Sequence, residues 1–146
     1  LSLELHIVGL LNKKDLSFLK RNNISFKNFV DINDELLTKI YRKCDILLMP
    51  SKYEGFGMPI LEAQISGMPV ITSNKDPMKK IAGPNAILVN PKNFLDIRRS
   101  LYKLIKNKNF FSKLSKLGKF NALKFKDIKI ADQYKKLYLE VLKNEN

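Results

Sequence analysis

Short apolar runs alternate with segments of helical spacing along the first ninety residues of the chain. The apolar runs are typical of β-strands and cover residues 3–9, 24–30, 44–50, 70–72 and 86–89. Helical spacing characterises much of the sequence between and after them. Strands that alternate with helices favour a parallel sheet with helices on both faces. The sequence therefore predicts a single α/β domain over residues 1–146, built on a doubly wound parallel sheet.

Individual residues mark where some of these elements begin, end or become buried. Asn33 predicts the N-cap of a helix that runs to about Lys43, and Gly67 predicts the end of a helix that follows the third strand. Residues 44–50, CDILLMP, favour a strand buried on both faces, with Cys44 as a small core residue. Helical spacing also predicts a closing helix over about residues 127–146. The aromatic residues expected in the core by their spacing are Phe110, Phe111, Phe120, Phe125, Tyr134 and Tyr138.

The composition excludes several classes of protein. Cys44 is the only cysteine and His6 the only histidine, so the chain can form neither an internal disulfide nor a structural zinc site. A single cysteine suits a reducing compartment, and we expect a cytoplasmic protein. No apolar run reaches the roughly 18 residues of a membrane span. His6 lies in an alternating strand, where a packed or edge residue is expected rather than a catalytic base.

The formal net charge of +13 is concentrated in the second part of the chain. Residues 92–146 hold 15 basic and 5 acidic residues. Three interpretations remain open: a solvated lysine-rich surface, attraction to an anionic membrane surface, and nucleic-acid binding. We rank them in that order, because the lysines are scattered and no arginine-rich cluster or RNA-binding aromatic signature is present.

The stretch PSKYEGFGMPILEAQISGMPV, residues 50–70, carries the chemistry. Its loop follows a predicted strand and opens a predicted helix, and ligands of open parallel sheets bind at that edge. Gly55 and Gly57 allow the backbone to turn tightly and to approach a ligand closely. Pro59 suits a first helical turn, whose free amides and positive dipole end favour an anion such as a phosphate.

Two glutamates lie on either side of this turn. Glu62, expected in the first turn of the helix, would be repelled by a phosphate, so it needs a neutral partner such as the vicinal diol of a ribose. Glu54 precedes the turn and can accept from a second set of hydroxyls. A nucleotide diphosphate bonded to a sugar satisfies all of these groups. Spacing alone leaves the alternative that both are ordinary surface glutamates.

The same stretch resembles the signature of the retaining GT-B glycosyltransferases, the large family-four group also described as glycosyl transferases group 1. That group carries a Pro-Ser-x-x-Glu-Gly-Phe-Gly run and a second glutamate after seven intervening residues. The resemblance extends over nearly the whole chain, including LELHIVG before the motif and NAILVNPKNFLDIRRSLYKLI after it. It implies a Rossmann-like sheet, the C-terminal, donor-binding half of a GT-B fold.

The resemblance implies roles for individual residues. Glu54 would contact hydroxyls of the donor sugar, and it is the catalytic candidate. Glu62 would bind the ribose diol, and the amides of Gly55, Phe56 and Gly57 would contact the sugar and the diphosphate. Ser51 and Tyr53 are the supporting candidates. Neither a metal nor another cofactor is expected, since transfer in the family needs no metal; the nucleotide diphosphate sugar is the donor substrate.

The chain also departs from the family pattern. A Gly-Arg and a following Lys, which grip the diphosphate in the family, lie upstream of the strand with which this chain begins. An N-terminal acceptor domain is not present either, and the chain begins at Leu1 without a methionine, so we expect a truncated domain. Asn28 stands where the family has glycine, and Lys80 where many members have glutamate. Lys79 or Lys80 is a candidate for facing the phosphates.

The resemblance implies glycosyl transfer from a nucleotide diphosphate sugar to an acceptor hydroxyl. Glycolipid, lipopolysaccharide or polysaccharide synthesis is expected, with work at the cytoplasmic face of a membrane. Residues 1–146 alone are expected to be inactive, since they supply one wall of the cleft. The alternative is a catalytically incomplete nucleotide-binding or regulatory module of the same fold. A basic nucleic-acid binder is the third possibility.

Overall fold

The structure is a computed structural model that describes residues 3–125, and the chain forms two compact units that divide between Cys44 and Asp45. Each unit contains a parallel sheet connected through helices, which confirms the α/β class. The prediction of a single domain over residues 1–146 stays a prediction. The closing helix predicted at 127–146, with Tyr134 and Tyr138, lies outside the described residues.

The first unit has a strand–helix–strand–helix order. Its elements are β1 (Leu5–Val8), α1 (Lys13–Arg21), β2 (Phe26–Phe29) and α2 (Asp34–Lys43). The strands pair in parallel, with Leu5 opposite Phe26. Asn33 is the N-cap of α2 and accepts a hydrogen bond from the amide of Leu36, which confirms the predicted start of that helix. Both strands are shorter than the apolar runs that predicted them.

Asn28 bridges the carboxyl end of β1. Its side-chain amide donates to the carbonyls of Ile7 at 3.1 Å and Gly9 at 2.8 Å. A glycine at position 28, the residue type of the family pattern, could make neither bond. The departure therefore adds two hydrogen bonds where β1 runs into the following loop.

The second unit continues the alternation with three strands and four α-helices among its described residues. Its elements are β3 (Leu47–Met49), α3 (Met58–Ile65), β4 (Val70–Ser73), α4 (Met78–Ala82), a 3₁₀ turn (Gly83–Asn85), β5 (Ile87–Val89), α5 (Phe94–Lys106), α6 (Lys108–Ala122) and a second 3₁₀ turn (Leu123–Phe125). The strand order is β3-β4-β5, and both pairs are parallel. Because all three strands run the same way, the loops after them meet at one edge of this sheet.

Burial in this sheet differs from the sequence-based expectation. All four residues of β4 are buried, whereas β3 pairs on one side only within the sheet, and Leu48 is 36% exposed. The prediction that residues 44–50 are buried on both faces is therefore wrong. The strand begins only at Leu47, and Cys44 is a half-buried C-cap of α2 rather than a core residue.

One buried apolar cluster of the second unit lies between the sheet and the helices α5 and α6. Its buried centre consists of Ile71, Val89, Leu104 and Leu114. Phe110 and Phe111 pack against this centre, as predicted. Phe120 does not: it is 66% exposed, because it follows the buried Gly118 by two positions and so lies on the opposite face of α6.

The end of α3 was predicted from the sequence, whereas the helix α4 was not. Gly67, at φ +82°, ends α3 as expected: its amide donates to the Gln64 carbonyl, and the amide of Met68 donates to that of Ala63. This pair of bonds is a Schellman motif. The five-residue helix α4, in contrast, was not predicted, because one turn is too short to show helical periodicity.

Candidate functional site

The candidate site comprises the loop from Pro50 to Gly57 and the helix α3 that follows it. Side chains of the buried strand β4 fasten the start of this loop. The hydroxyl of Thr72 donates to the Met49 carbonyl at 2.9 Å, and the hydroxyl of Ser73 donates to the Ser51 carbonyl. These hydrogen bonds fix the backbone at the start of the loop relative to β4, and so restrict where the following residues can lie.

Gly57 makes the turn from the loop into α3. It is the N-cap, with φ +100° and ψ 38°, and a Cβ there would lie 3.2 Å from Cδ1 of Ile60. An L-residue would be strained at this φ, so the fold itself needs this glycine. Pro59 is the second residue of the helix, where its missing amide hydrogen costs no bond. The sequence-based roles of both residues in the turn are consistent with this geometry.

Backbone amides line the start of α3. Within residues 3–125, the amides of Gly55, Phe56, Gly57 and Met58 make no hydrogen bond to another described residue. The first turn of the helix contains no acidic residue. An amide-rich turn at the positive end of a helix dipole, without a carboxylate in its first turn, is suited to an anion.

Gly55 differs from Gly57 in what the fold demands of it. A Cβ at position 55 would meet no atom within 4 Å, and its φ lies outside the left-handed range. Neither backbone conformation nor internal packing therefore requires glycine at this position. The open space in front of it is consistent with the close approach of a ligand to the backbone.

The predicted site residues occupy one continuous segment but differ in exposure. Glu54 is exposed, Phe56 is 44% exposed and Tyr53 is 87% exposed, whereas Ser51 and Glu62 are half-buried. Glu62 is the fifth residue of α3, so it lies in the second turn and the expectation of a first-turn position is wrong. The correction follows from the helix starting at Met58. It removes Glu62 from the turn that is suited to an anion.

Two lysines of the segment after β4, Lys75 and Lys80, make different contacts. Nζ of Lys75 lies 5.7 Å from the ring centroid of Tyr53, which joins the loop after β4 to the loop after β3. Nζ of Lys80 lies 3.0 Å from Oδ2 of Asp76. Lys75 was not proposed from the sequence. Its position two residues after β4, at the edge where the parallel strands end, is the signal that could have identified it.

A buried polar network contacts the C-terminal half of α3. The amide of Gln64 donates to the Ala82 carbonyl at 2.9 Å, and Nδ2 of Asn121 donates to Gln64 Oε1 at 2.9 Å and to the Ile81 carbonyl at 2.8 Å. Gln64 is fully buried and Asn121 is 4% exposed. Neither residue was predicted from the sequence, in which the two lie 57 positions apart.

Among residues 3–125, no group of three His, Cys, Asp or Glu side chains is placed to hold a metal ion. No helix in the same range combines the length and the apolar character that crossing a bilayer requires.

Comparison with known proteins gives consistent matches. The family model described as glycosyl transferases group 1 matches residues 2–121. The serotype-specific mannosyltransferase WbdA of Escherichia coli is 31% identical over 107 residues, which cover 73% of this chain and 13% of that protein. The chain therefore spans only a small part of this curated relative.

Solved structures match as well. The C-terminal domain of the glycosyl transferase group 1 family protein LpcC from Francisella tularensis aligns with a TM-score of 0.68 and 27% identity, over 82% of this chain and 68% of that one. Alr3699/HepE of Anabaena, solved in complex with UDP-glucose, aligns with a TM-score of 0.72 and 17% identity, over 92% of this chain and 40% of that one.

Proposed function

The chain belongs to the glycosyl transferases group 1 family, and on that premise we propose that it is the donor-binding part of a retaining GT-B glycosyltransferase. The complete protein would transfer a glycosyl unit from a nucleotide diphosphate sugar to an acceptor hydroxyl and keep the anomeric configuration. The observation that carries the proposal is the turn into α3, where the amides of residues 55–58 lack partners among the described residues and Glu54 and Glu62 lie on either side.

The diphosphate belongs at the amides of residues 55–58. Their N–H groups, which have no partner among the described residues, and the dipole of α3 favour the negative charge that develops on the leaving diphosphate. Lys75, held over Tyr53 at the same edge, adds a positive charge to this region. Neutralising the negative charge on the leaving diphosphate lowers the barrier to breaking the bond between the sugar and the diphosphate.

The two glutamates accept hydrogen bonds from neutral hydroxyls of the donor. Glu62 lies one turn beyond the amides, away from the diphosphate position, and its two carboxylate oxygens can accept from the two hydroxyls of a ribose. Glu54 is exposed before the turn, where it can accept from hydroxyls of the transferred sugar, and it is the proposed catalytic residue. Ser51 and Tyr53 support the loop that carries it.

The relatives support the donor class and leave its details as proposals. HepE holds UDP-glucose, and WbdA is a mannosyltransferase, so a hexose on a nucleoside diphosphate is the class that we propose for this chain. Glycolipid, lipopolysaccharide or polysaccharide is the proposed product, made at the cytoplasmic face of a membrane. The basic residues after position 91 suit attraction to its anionic surface.

We further propose that an acceptor-binding domain outside residues 1–146 forms the second wall of the cleft. The chain covers only 13% of WbdA and 40% of HepE, which supports a larger complete protein. Residues 1–146 alone should therefore bind a donor weakly and transfer little or no sugar.

A titration of the isolated chain with UDP, GDP, ADP and their sugars tests the proposal. Chemical-shift changes detected by NMR suit weak binding, and we expect them for residues 54–62 with one of the three bases. A chain that binds none of these nucleotides overturns the proposal. Binding here together with an absence of transfer by the complete protein would favour the catalytically incomplete module instead.

A further inference from the structure

Three side chains of the first unit form a continuous hydrogen-bonded chain that ends at a thiol. Sγ of Cys44 lies 3.4 Å from Nδ1 of His6, and Nε2 of the same ring lies 2.7 Å from Oε1 of Glu4. Cys44 is half-buried, so the residue keeps part of its surface in contact with solvent. The sequence contains no other cysteine or histidine.

The partners of His6 determine where its protons lie. A carboxylate only accepts hydrogen bonds, so Nε2, which faces Glu4, carries a hydrogen. In the neutral imidazole the other nitrogen, Nδ1, is then the acceptor, and it faces the thiol of Cys44. The ring is therefore oriented to take the proton of Cys44 and to become an imidazolium between a thiolate and a carboxylate.

Glu4 is held in the charged form that this arrangement needs. Nζ of Lys27 donates to its Oε1 at 2.8 Å. The hydrogen bonds from Lys27 and then from His6 lower the pKa of Glu4 below its ordinary value. A carboxylate at Nε2 orients the ring with Nδ1 toward the thiol, as an orienting carboxylate does beside other cysteine–histidine pairs.

We propose that Cys44 is a modification site, a reactive thiol that forms mixed disulfides with small disulfides such as oxidised glutathione. His6 takes the thiol proton, and the Cys44 thiolate attacks one sulfur of the small disulfide. A new sulfur–sulfur bond forms at Sγ while the original one breaks. The departing thiolate takes the proton from the imidazolium, so charge and protons balance.

Several charged and titratable groups in the described part of the first unit lie near this thiol. His6 on β1 faces it directly, Glu4 lies behind His6, and Lys27 on β2 lies behind Glu4. Along its own part of the chain, the titratable residues within three positions of Cys44 are Tyr41, Arg42, Lys43 and Asp45. The proposal concerns the first unit and does not depend on the donor site.

The rate of alkylation by iodoacetamide, measured as a function of pH, tests the proposal because Cys44 is the only thiol. Iodoacetamide is uncharged, so surface charge does not steer it. We expect the midpoint of the profile to lie about one pH unit or more below that of N-acetylcysteine, since an imidazolium stabilises a thiolate. Incubation with oxidised glutathione should add one glutathione per chain, detected by intact mass.

Variants distinguish a thiol activated by His6 and Glu4 from a thiol that reacts only because it is exposed. His6→Gln should slow alkylation at neutral pH about tenfold and move the midpoint toward that of N-acetylcysteine. Glu4→Gln, an exposed substitution that should not impair folding, should give a smaller shift in the same direction. Glu35→Gln is the matched control, because it removes a carboxylate that pairs with Lys39 on α2 of the same unit. It should leave the profile unchanged.

Two outcomes overturn the proposal. One is a wild-type profile that coincides with that of N-acetylcysteine. The other is a low midpoint of the pH profile that neither Glu4→Gln nor His6→Gln changes, because these residues would then not stabilise the thiolate. If His6→Gln does not fold, the Glu4→Gln profile against the Glu35→Gln control decides the matter.

Discussion

Nδ2 of Asn121 donates a hydrogen bond of 2.9 Å to Oε1 of Gln64, and both side chains are buried. This bond joins α6 to the helix that carries Glu62, two residues before Gln64. The hydroxyl of Ser115 on α6 adds a bond of 2.6 Å to the carbonyl of Gly67, at the end of the same helix. The orientation of α3, and with it the position of Glu62, thus depends on polar contacts far from the loop.

Asn121→Leu should lower the free energy of unfolding by about 1–3 kcal/mol. The substitution keeps a similar volume but leaves the Oε1 atom of Gln64 buried without a donor. Gln64→Met should cost less, because Asn121 would keep the Ile81 and Ala82 carbonyls as acceptors. Urea denaturation of the three chains measures the difference.

Asn109→Leu is the matched control for this comparison, since Asn109 is exposed on the same helix. Its unfolding free energy should change by less than about 0.5 kcal/mol. Equal stability of Asn121→Leu and Asn109→Leu would show that the buried network does not stabilise the unit.

Two glycine substitutions should distinguish a glycine that the folded structure requires from one that ligand binding requires. Gly83 has φ +62° and ψ −167°, and a Cβ there would lie 2.6 Å from Oδ1 of Asn121. Gly83→Ala should therefore cost about 2 kcal/mol or more. Gly55→Ala should leave the unfolding free energy nearly unchanged, because its Cβ would enter open space.

The same Gly55→Ala variant should bind a nucleotide sugar about tenfold more weakly, since a methyl group would stand where the donor approaches the backbone. Chemical-shift titration measures the affinity, and thermal unfolding measures the stability. A variant that binds as tightly as the parent would remove Gly55 from the site.

The sequence predicted those features that depend on neighbouring residues. Asn33 caps α2 and Gly67 ends α3 because both act within a few positions of themselves. The contacts of Cys44 with His6 and of Asn121 with Gln64 could not be predicted, since residues 38 and 57 positions apart meet only through the packing of several elements. The exposure of Leu48 belongs to the same class, because an apolar run does not show whether its strand lies at an edge.

Glu54 and Glu62 should affect different parts of the donor. Glu54→Ala should weaken binding of a nucleotide sugar but leave the affinity for the corresponding free diphosphate unchanged, because Glu54 is assigned to the sugar. Glu62→Ala should weaken both, because both contain the ribose. Titration calorimetry or NMR should measure six affinities, those of the parent and of the two variants for each of the two ligands. Equal losses for both ligands in Glu54→Ala would contradict its assignment.

The ion pair between Glu4 and Lys27 should stabilise the first unit in a pH-dependent way. Hydrogen bonds from Lys27 and then His6 lower the pKa of Glu4 in the folded chain. A lowered pKa contributes stability above the unfolded value, and this contribution is lost as the pH falls through the folded value. The melting temperature of the parent should therefore exceed that of Glu4→Gln near neutral pH, and the difference should shrink on acidification below about pH 4.5.

Lys27→Met removes the main cause of the lowered pKa of Glu4. The difference in melting temperature that Glu4→Gln causes should therefore be smaller in a chain that already carries Lys27→Met. A difference between the parent and Glu4→Gln that stays constant from neutral pH to about pH 3 would contradict the account.

The most direct test of the donor site uses the nucleoside diphosphate that binds best among UDP, GDP and ADP, together with its 2′-deoxy counterpart. NMR titration of the parent and of Glu62→Gln gives four affinities. If Glu62 holds the ribose diol, the parent should prefer the ribose form by about tenfold, the equivalent of one lost hydrogen bond to a charged group, and Glu62→Gln should lose most of that preference. A preference that persists in Glu62→Gln, or that is absent from the parent, would contradict the assignment.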